Sequence, residues 1–130
     1  MSIAVSNSKI EAQMRPLLAL AVLLAAQPAA GQIREPPASM ETRLAAGAFD
    51  ELCFELGAGE SMRYSFDADA PLDFNVHWHQ GGVVSYPVRI AAVARLGAVF
   101  RSPNKEAYCL MWSNRSRTSV PLRARIDRDE

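Results

Sequence analysis

The sequence predicts an all-β fold, an antiparallel β-sandwich of about seven or eight short strands. Apolar and polar residues alternate with a period of two along most of the chain after residue 43, as they do in strands with one buried face. Turn-forming residues separate these stretches at roughly ten-residue intervals, which is typical of a sandwich. No segment has the period of an amphipathic helix, and 130 residues are enough for one domain.

Residues 1–31 have the three parts of a secretory signal peptide. Arg15 precedes an apolar run at 17–26, and small residues at 29–31 predict cleavage before Gln32. As a helix the apolar run would be roughly 15 Å long, too short for the ~30 Å hydrocarbon core of a bilayer. We therefore expect no membrane span and an exported protein, either periplasmic or secreted.

The biological start is predicted at Met14, because residues 1–13 are long and polar for the first part of such a leader. An extended leader that includes them is the alternative. Residues 32–43 contain Pro36-Pro37 and scattered charges, so they are expected to form a flexible lead-in. The sandwich domain is then expected to occupy residues 44–130.

Within this domain, six stretches are predicted to be strands, five of them by clear alternation, and Gly57, Gly59, the run 67–71 and Gly81-Gly82 mark turns between the first four. Residues 90–100 are apolar in both phases, and Gly97 with its β-branched neighbours favours two short strands, or a strand and a loop, over a helix. The five alternating stretches are residues 52–56, 62–66, 72–78, 108–112 and 120–126, and the sixth stretch, 83–90, follows the Gly81-Gly82 turn.

Charge and motifs exclude several classes of function. The chain has 14 basic and 14 acidic residues, and its arginines are spread along the sequence, so no nucleic-acid surface is expected. No phosphate-binding loop, nucleophile elbow or metalloprotease helix is present.

Four large aromatic residues are expected in the core, and an outward Tyr86 or Trp112 would instead favour a carbohydrate or lipid ligand. The four are Trp78, Tyr86, Tyr108 and Trp112.

The two cysteines, Cys53 and Cys109, both follow the predicted cleavage site. In an oxidising compartment an even pair predicts a disulfide, and two buried thiols are the alternative. The bond would close a loop of about 56 residues and stabilise the fold by roughly 4 kcal/mol. The spacing excludes a catalytic pair separated by two residues.

From residue 44 to residue 126 the order of these features resembles the GOLD domain, the β-sandwich of Golgi cargo receptors and of some lipid-transfer proteins. The resemblance implies a jelly-roll-like or GOLD-like sandwich, a disulfide between the two cysteines, and a non-catalytic module that binds a protein or a lipid. Unlike the cargo receptors, the chain has no coiled coil and no C-terminal membrane span. The residues that carry the resemblance are Cys53-Phe54-Glu55, Gly59, Tyr64, Phe66, 72–76, Gly97, Phe100 and 108–114.

Both histidines of the chain lie in the run His77-Trp78-His79. On a strand they share one face, about 6.5–7 Å apart at the base, and two imidazoles placed in this way can bind one zinc or copper ion. Because residues 74, 76 and 78 are expected in the core, the histidines are expected on the outer face. Additional ligands would come from Asp73 or Asn75, and from Met62 or Met111 if folding brings them near.

The sequence therefore predicts a small exported module that binds an unknown protein or lipid partner, performs no catalysis and needs no cofactor. The alternative is a periplasmic protein that binds copper or zinc through His77 and His79. If the two histidines are only hydrogen-bonded or solvated on the outer face and bind no metal, the first prediction stands.

Overall fold

The computed structural model describes residues 32–129, and every regular element in this range is a strand. All pairings between the six strands are antiparallel. The strands are β1 (Ala38–Leu44), β2 (Phe49–Leu56), β3 (Ser61–Gln80), β4 (Val83–Arg101), β5 (Glu106–Ser113) and β6 (Val120–Arg128). The predicted all-β antiparallel fold is confirmed.

The long strand β3 organises the sheet, whose order is β1-β6-β3-β5-β2 with β4 on the other side of β3. The first part of β3 pairs with β6 and its last part pairs with β5, while β4 follows β3 over its whole length. We call β1, β6 and the adjoining parts of β3 and β4 the first half-sheet. The second half-sheet consists of β2, β5 and the other parts of β3 and β4.

The two half-sheets meet where β3 is irregular, because four of its residues, 68–71, correspond to only one residue of β4. Such an insertion bends a strand and increases its twist. Side chains from both halves then pack in one core. For example, the ring of Trp112 in β5 lies edge-on to Phe66 in β3, with 5.5 Å between the centroids.

Five strands, β2 to β6, replace the predicted seven or eight because neighbouring predicted strands are continuous, and the unpredicted β1 makes six. The run 67–71, predicted to be a turn, stays within β3, and Ala68 still pairs with Leu122 of β6. Likewise the stretches at 83–90 and 90–100 form the single strand β4. A bulge and a turn use similar residues, so the alternation alone does not distinguish them.

The predicted flexible lead-in at 32–43 is wrong in both halves. β1 begins at Ala38 and pairs with β6 as far as Leu44, and the N–H of Arg34 donates to the carbonyl oxygen of Cys53 in β2 at 2.8 Å. Pro36 and Pro37 immediately precede this strand. The domain therefore starts near residue 33 rather than at 44. The predicted signal peptide, the start at Met14 and the cleavage site all lie before the described residues.

The core contains the inward side chains of every strand, and Phe54, Val76, Tyr108 and Trp112 are completely buried. The Tyr108 hydroxyl donates to the carbonyl oxygen of Asn104 at 2.6 Å, which satisfies the one polar group of that ring. Between residues 32 and 129 no helix has the length and apolar character needed to cross a membrane.

Candidate functional site

Most of the predicted site residues lie on the outer face of the second half-sheet. Cys53 in β2 stands directly opposite Cys109 in β5, with 4.1 Å between their Cα atoms, and the two are joined by a disulfide. Their neighbours Leu52 and Phe54 point into the core, so the sulfur atoms lie on the opposite face. Only 1% of Cys53 is exposed.

His77 lies beside the disulfide, since it is the register partner of Cys109 in the neighbouring strand β3. It is on the outer face, as predicted, yet only 4% exposed. Its Nδ1 atom is 2.7 Å from the side-chain oxygen of Asn75, and its Nε2 atom is 3.3 Å from a carboxylate oxygen of Glu51. Both ring nitrogens of His77 therefore have an oxygen neighbour, one from Asn75 and one from Glu51.

The second histidine, His79, is exposed, and its ring centroid lies 5.3 Å from that of His77. The ring of Tyr86 lies 5.7 Å from His77 on another side, and the guanidinium of Arg89 is 4.0 Å from the centroid of Tyr86. The prediction that Tyr86 is a core residue is wrong, because 43% of it is exposed. An extra residue in β4 between the partners of Val76 and Trp78 shifts the alternation there.

The structure brings some of the proposed additional ligands to the histidines and separates others. Asn75 contacts His77, and Met111 lies opposite Asn75 in β5 on the same face. Met62 is fully buried in the first half-sheet, so the expectation that it could supply a thioether is wrong. Asp73 is on the correct face but forms an ion pair with Arg115.

Two carboxylates of β3 are held ionised by their partners. The backbone N–H of Ala92 and then Arg115 lower the pKa of Asp73, and Arg123 lowers that of Asp67 with help from Arg95. Carboxyl groups whose pKa is lower in the folded chain stabilise the fold above their unfolded pKa near 3.8, and they lose this effect as the pH falls further. Asp73 and Asp67 are therefore already bound by protein partners that stabilise the fold, and neither carboxylate is free to bind a ligand.

Glu51 is a candidate site residue that was not predicted from the sequence. Its carboxylate and the two cysteine sulfur atoms lie within 4.8 Å of one another, and it also pairs with His77. Because Glu51 and Cys53 are two residues apart in β2, they share a face. This spacing could have predicted that Glu51 lies beside Cys53. Its contact with His77, two strands away, could not be predicted from the local sequence.

Strand β4 forms a second candidate surface, because it pairs only with β3 among the described residues and its other edge is open. Three arginines, Arg89, Arg95 and Arg101, recur at intervals of six residues, and β4 contains no acidic residue. Arg95 pairs with Asp67 at 2.9 Å, whereas Arg89 and Arg101 have no carboxylate partner among residues 32–129. The open edge is therefore basic.

No protein-family model and no curated protein matches the chain. Among solved structures, the pre-peptidase C-terminal domain of a collagenase from Bacillus anthracis is similar, with a TM-score of 0.61 and 12% identity. That match covers 78% of this chain and 98% of the other. The Yersinia pseudotuberculosis-derived mitogen is also similar, with a TM-score of 0.51, 11% identity and coverage of 72% and 88%. At this identity the likeness supports a small β-sandwich-type fold and nothing finer.

Proposed function

We propose that this chain is a small exported binding module that performs no catalysis and holds a protein partner along the open edge of β4. The observation that carries this proposal is a strand of 19 residues whose backbone is paired on one side only. Unpaired N–H and C=O groups on a sheet edge accept an additional strand, and side chains beside them give specificity.

The regular part of this edge runs from Arg95 to Arg101, where the register with β3 has no shift. The N–H of Asp129 donates to the carbonyl oxygen of Ser61, so the backbone groups of Ser61 point toward β6. Because successive residues of a strand direct their backbone groups to opposite sides, odd-numbered residues at the start of β3 bond to β6 and even-numbered ones bond to β4. In β4, residues 96, 98 and 100 therefore bond to β3. The backbone groups of residues 95, 97, 99 and 101 point outward.

The charge of this edge favours an acidic partner. Arg95 and Arg101 end the regular segment, with Gly97 and Val99 between them on the outer face. A second copy of β4 paired antiparallel about Ala98 would place Arg95 opposite Arg101, and like charges directly opposite are destabilising. An extended acidic segment of another protein avoids this repulsion.

Export is supported by the disulfide between Cys53 and Cys109, since such bonds persist mainly in oxidising compartments. A GOLD-type sandwich, which would imply a protein or lipid ligand, is part of the same proposal. The exposed Tyr86 is an argument for a carbohydrate or lipid ligand. A protein is favoured over both, because the exposed arginines of β4 lie along an edge that also offers regular backbone hydrogen bonds.

The synthetic peptide Glu-Val-Thr-Val-Thr-Val-Glu tests this function, because its two carboxylates lie six residues apart like Arg95 and Arg101. We expect it to bind the folded chain and to lose binding when Val99→Pro removes one outward N–H. Val99→Thr is the matched control, which keeps the N–H and should bind like the wild type. Neither change touches a bond to β3, so thermal melting should show both variants folded.

Nuclear magnetic resonance shifts locate the bound peptide, and they should change along β4 rather than along β1 or β2. Binding that Val99→Pro leaves intact would contradict edge pairing. A preference for an otherwise identical peptide with lysines in place of both glutamates would contradict the acidic partner. Substrate turnover that a single point substitution abolishes would contradict a non-catalytic module.

A second candidate function is metal binding through His77 and His79, favoured by the 5.3 Å between their rings and by Glu51 beside Nε2 of His77. Asn75 would hold the other nitrogen, as second-shell acceptors commonly do for metal-bound histidines. Copper or zinc is the metal that imidazole and carboxylate ligands suit.

Titration of the disulfide-bonded protein with Zn²⁺ and with Cu²⁺ tests this candidate. One bound ion per chain is expected, with an affinity at least tenfold weaker in His79→Ala, whose exposed ring can be removed without opening the core. Equal affinity in His79→Ala and the wild type would exclude a site that uses both histidines.

A further inference from the structure

We propose that Glu51, Cys53, His77 and Cys109 form a zinc site when the disulfide is reduced. The disulfide and the bound Zn²⁺ are then alternative cross-links between β2 and β5 at one place. This inference is independent of the binding edge on β4, and it assigns the cysteines a chemistry beyond stabilisation.

The four donors converge because three adjacent strands align them. Cys53 and His77 are both register partners of Cys109, one on each side of β5, and Glu51 lies two residues before Cys53. The carboxylate and both sulfur atoms lie within 4.8 Å of one another, and the carboxylate is 3.3 Å from Nε2 of His77. Ligands about 2.0–2.3 Å from one tetrahedral ion are roughly 3.3–3.8 Å apart, so Glu51 and the two cysteines need only small side-chain movements. His77 contacts this group through the Glu51 carboxylate, and its ring must turn toward the sulfur atoms to complete the site.

The donor set suits zinc. Two thiolates, one imidazole and one carboxylate are all common zinc ligands, and together they carry three negative charges against the two positive charges of the ion. Asn75 accepts from Nδ1 of His77, which directs Nε2 toward the other donors. Cys53 and His77 are almost fully buried, so water competes weakly for the ion.

The change between the two states balances as a two-electron reduction. A dithiol or phosphine reductant donates two electrons to the bond between the sulfur atoms, and each sulfur takes up one proton to become a thiol. Zn²⁺ then displaces both protons as it binds the thiolates. Oxidation by a disulfide exchange partner reverses the sequence and releases the ion.

The probe is Zn²⁺ itself, added to the chain reduced with a phosphine and, in parallel, to the oxidised chain. We expect one Zn²⁺ per reduced chain, a rise in its melting temperature on binding, and at least tenfold weaker binding by the oxidised chain. Cd²⁺ in place of Zn²⁺ should give a thiolate-to-metal charge-transfer band in the reduced chain only.

Variants distinguish this site from one that uses both histidines. His79→Ala should leave zinc binding by the reduced chain unchanged, whereas Glu51→Gln and His77→Ala should each weaken it about tenfold or more. The double variant Cys53→Ser/Cys109→Ser should bind no better than the oxidised wild type.

A reduced chain that binds no Zn²⁺, whether it is folded or unfolded before the addition, overturns the proposal. The serine double variant binding as tightly as the reduced wild type also overturns it, since the sulfur atoms would then contribute nothing. Circular dichroism before and after the addition separates binding to a folded chain from zinc-driven refolding. Whether zinc binds a folded chain or drives refolding, Glu51→Gln and His77→Ala must lower the affinity for Zn²⁺.

Discussion

We expect the free energy of unfolding to fall by about 4 kcal/mol when Cys53 and Cys109 are both replaced by serine. The bond joins residues 56 positions apart, and without it the unfolded chain gains the entropy of an open loop. Domains of this size are stable by about 5–15 kcal/mol, so the melting temperature should fall by about 15–30 °C. Urea unfolding of wild type and variant under oxidising, metal-free conditions measures this difference directly.

Reduction of the wild type is the matched control, because it opens the same loop without changing any side chain. The reduced wild type and the serine variant should unfold at similar urea concentrations when zinc is absent. A serine variant that melts within a degree or two of the oxidised wild type would mean that the cross-link does not stabilise the fold.

The alternation of apolar residues predicted β2, β5, β6 and both halves of β3, because each packs one face against the core. It missed β1, whose alternate residues are only partly buried because β1 lies at the end of the sheet order. The alternation also predicted two strands where β3 forms one and where β4 forms one. A period of two identifies the faces of a strand, and an interruption of that period can be either a turn or a bulge.

The candidate site was predictable in part for the same reason. The period places His77 on the outer face of its strand and Cys53 on that of another. That these strands flank β5 depends on pairings between residues distant in sequence, so the contact of His77 with Glu51 required the structure. Tyr86 was misplaced because a single inserted residue in β4 reverses the faces beyond it.

Asn114, which lies outside the candidate site, is buried and makes several hydrogen bonds, and its replacement by alanine should lower the free energy of unfolding by about 3 kcal/mol. It is 1% exposed, and its Nδ2 lies 3.1 Å from the carbonyl oxygen of Leu44 and 2.8 Å from that of Thr118. Its Oδ1 accepts from the N–H and the hydroxyl of Ser116. One side chain therefore ties the end of β1 to the loop between β5 and β6.

Asn114→Asp should destabilise the fold at least as much as Asn114→Ala at neutral pH, although it is nearly isosteric. A carboxylate oxygen would then face the carbonyl oxygens of Leu44 and Thr118 with no proton to donate. Asn104→Asp is the control, because it makes the same chemical change at an exposed side chain and should alter stability by less than about 0.5 kcal/mol. If urea unfolding found the two aspartate variants equally stable, the hydrogen bonds of Asn114 would contribute little, and the junction would depend on the backbone bonds of residues 47, 48 and 114 alone.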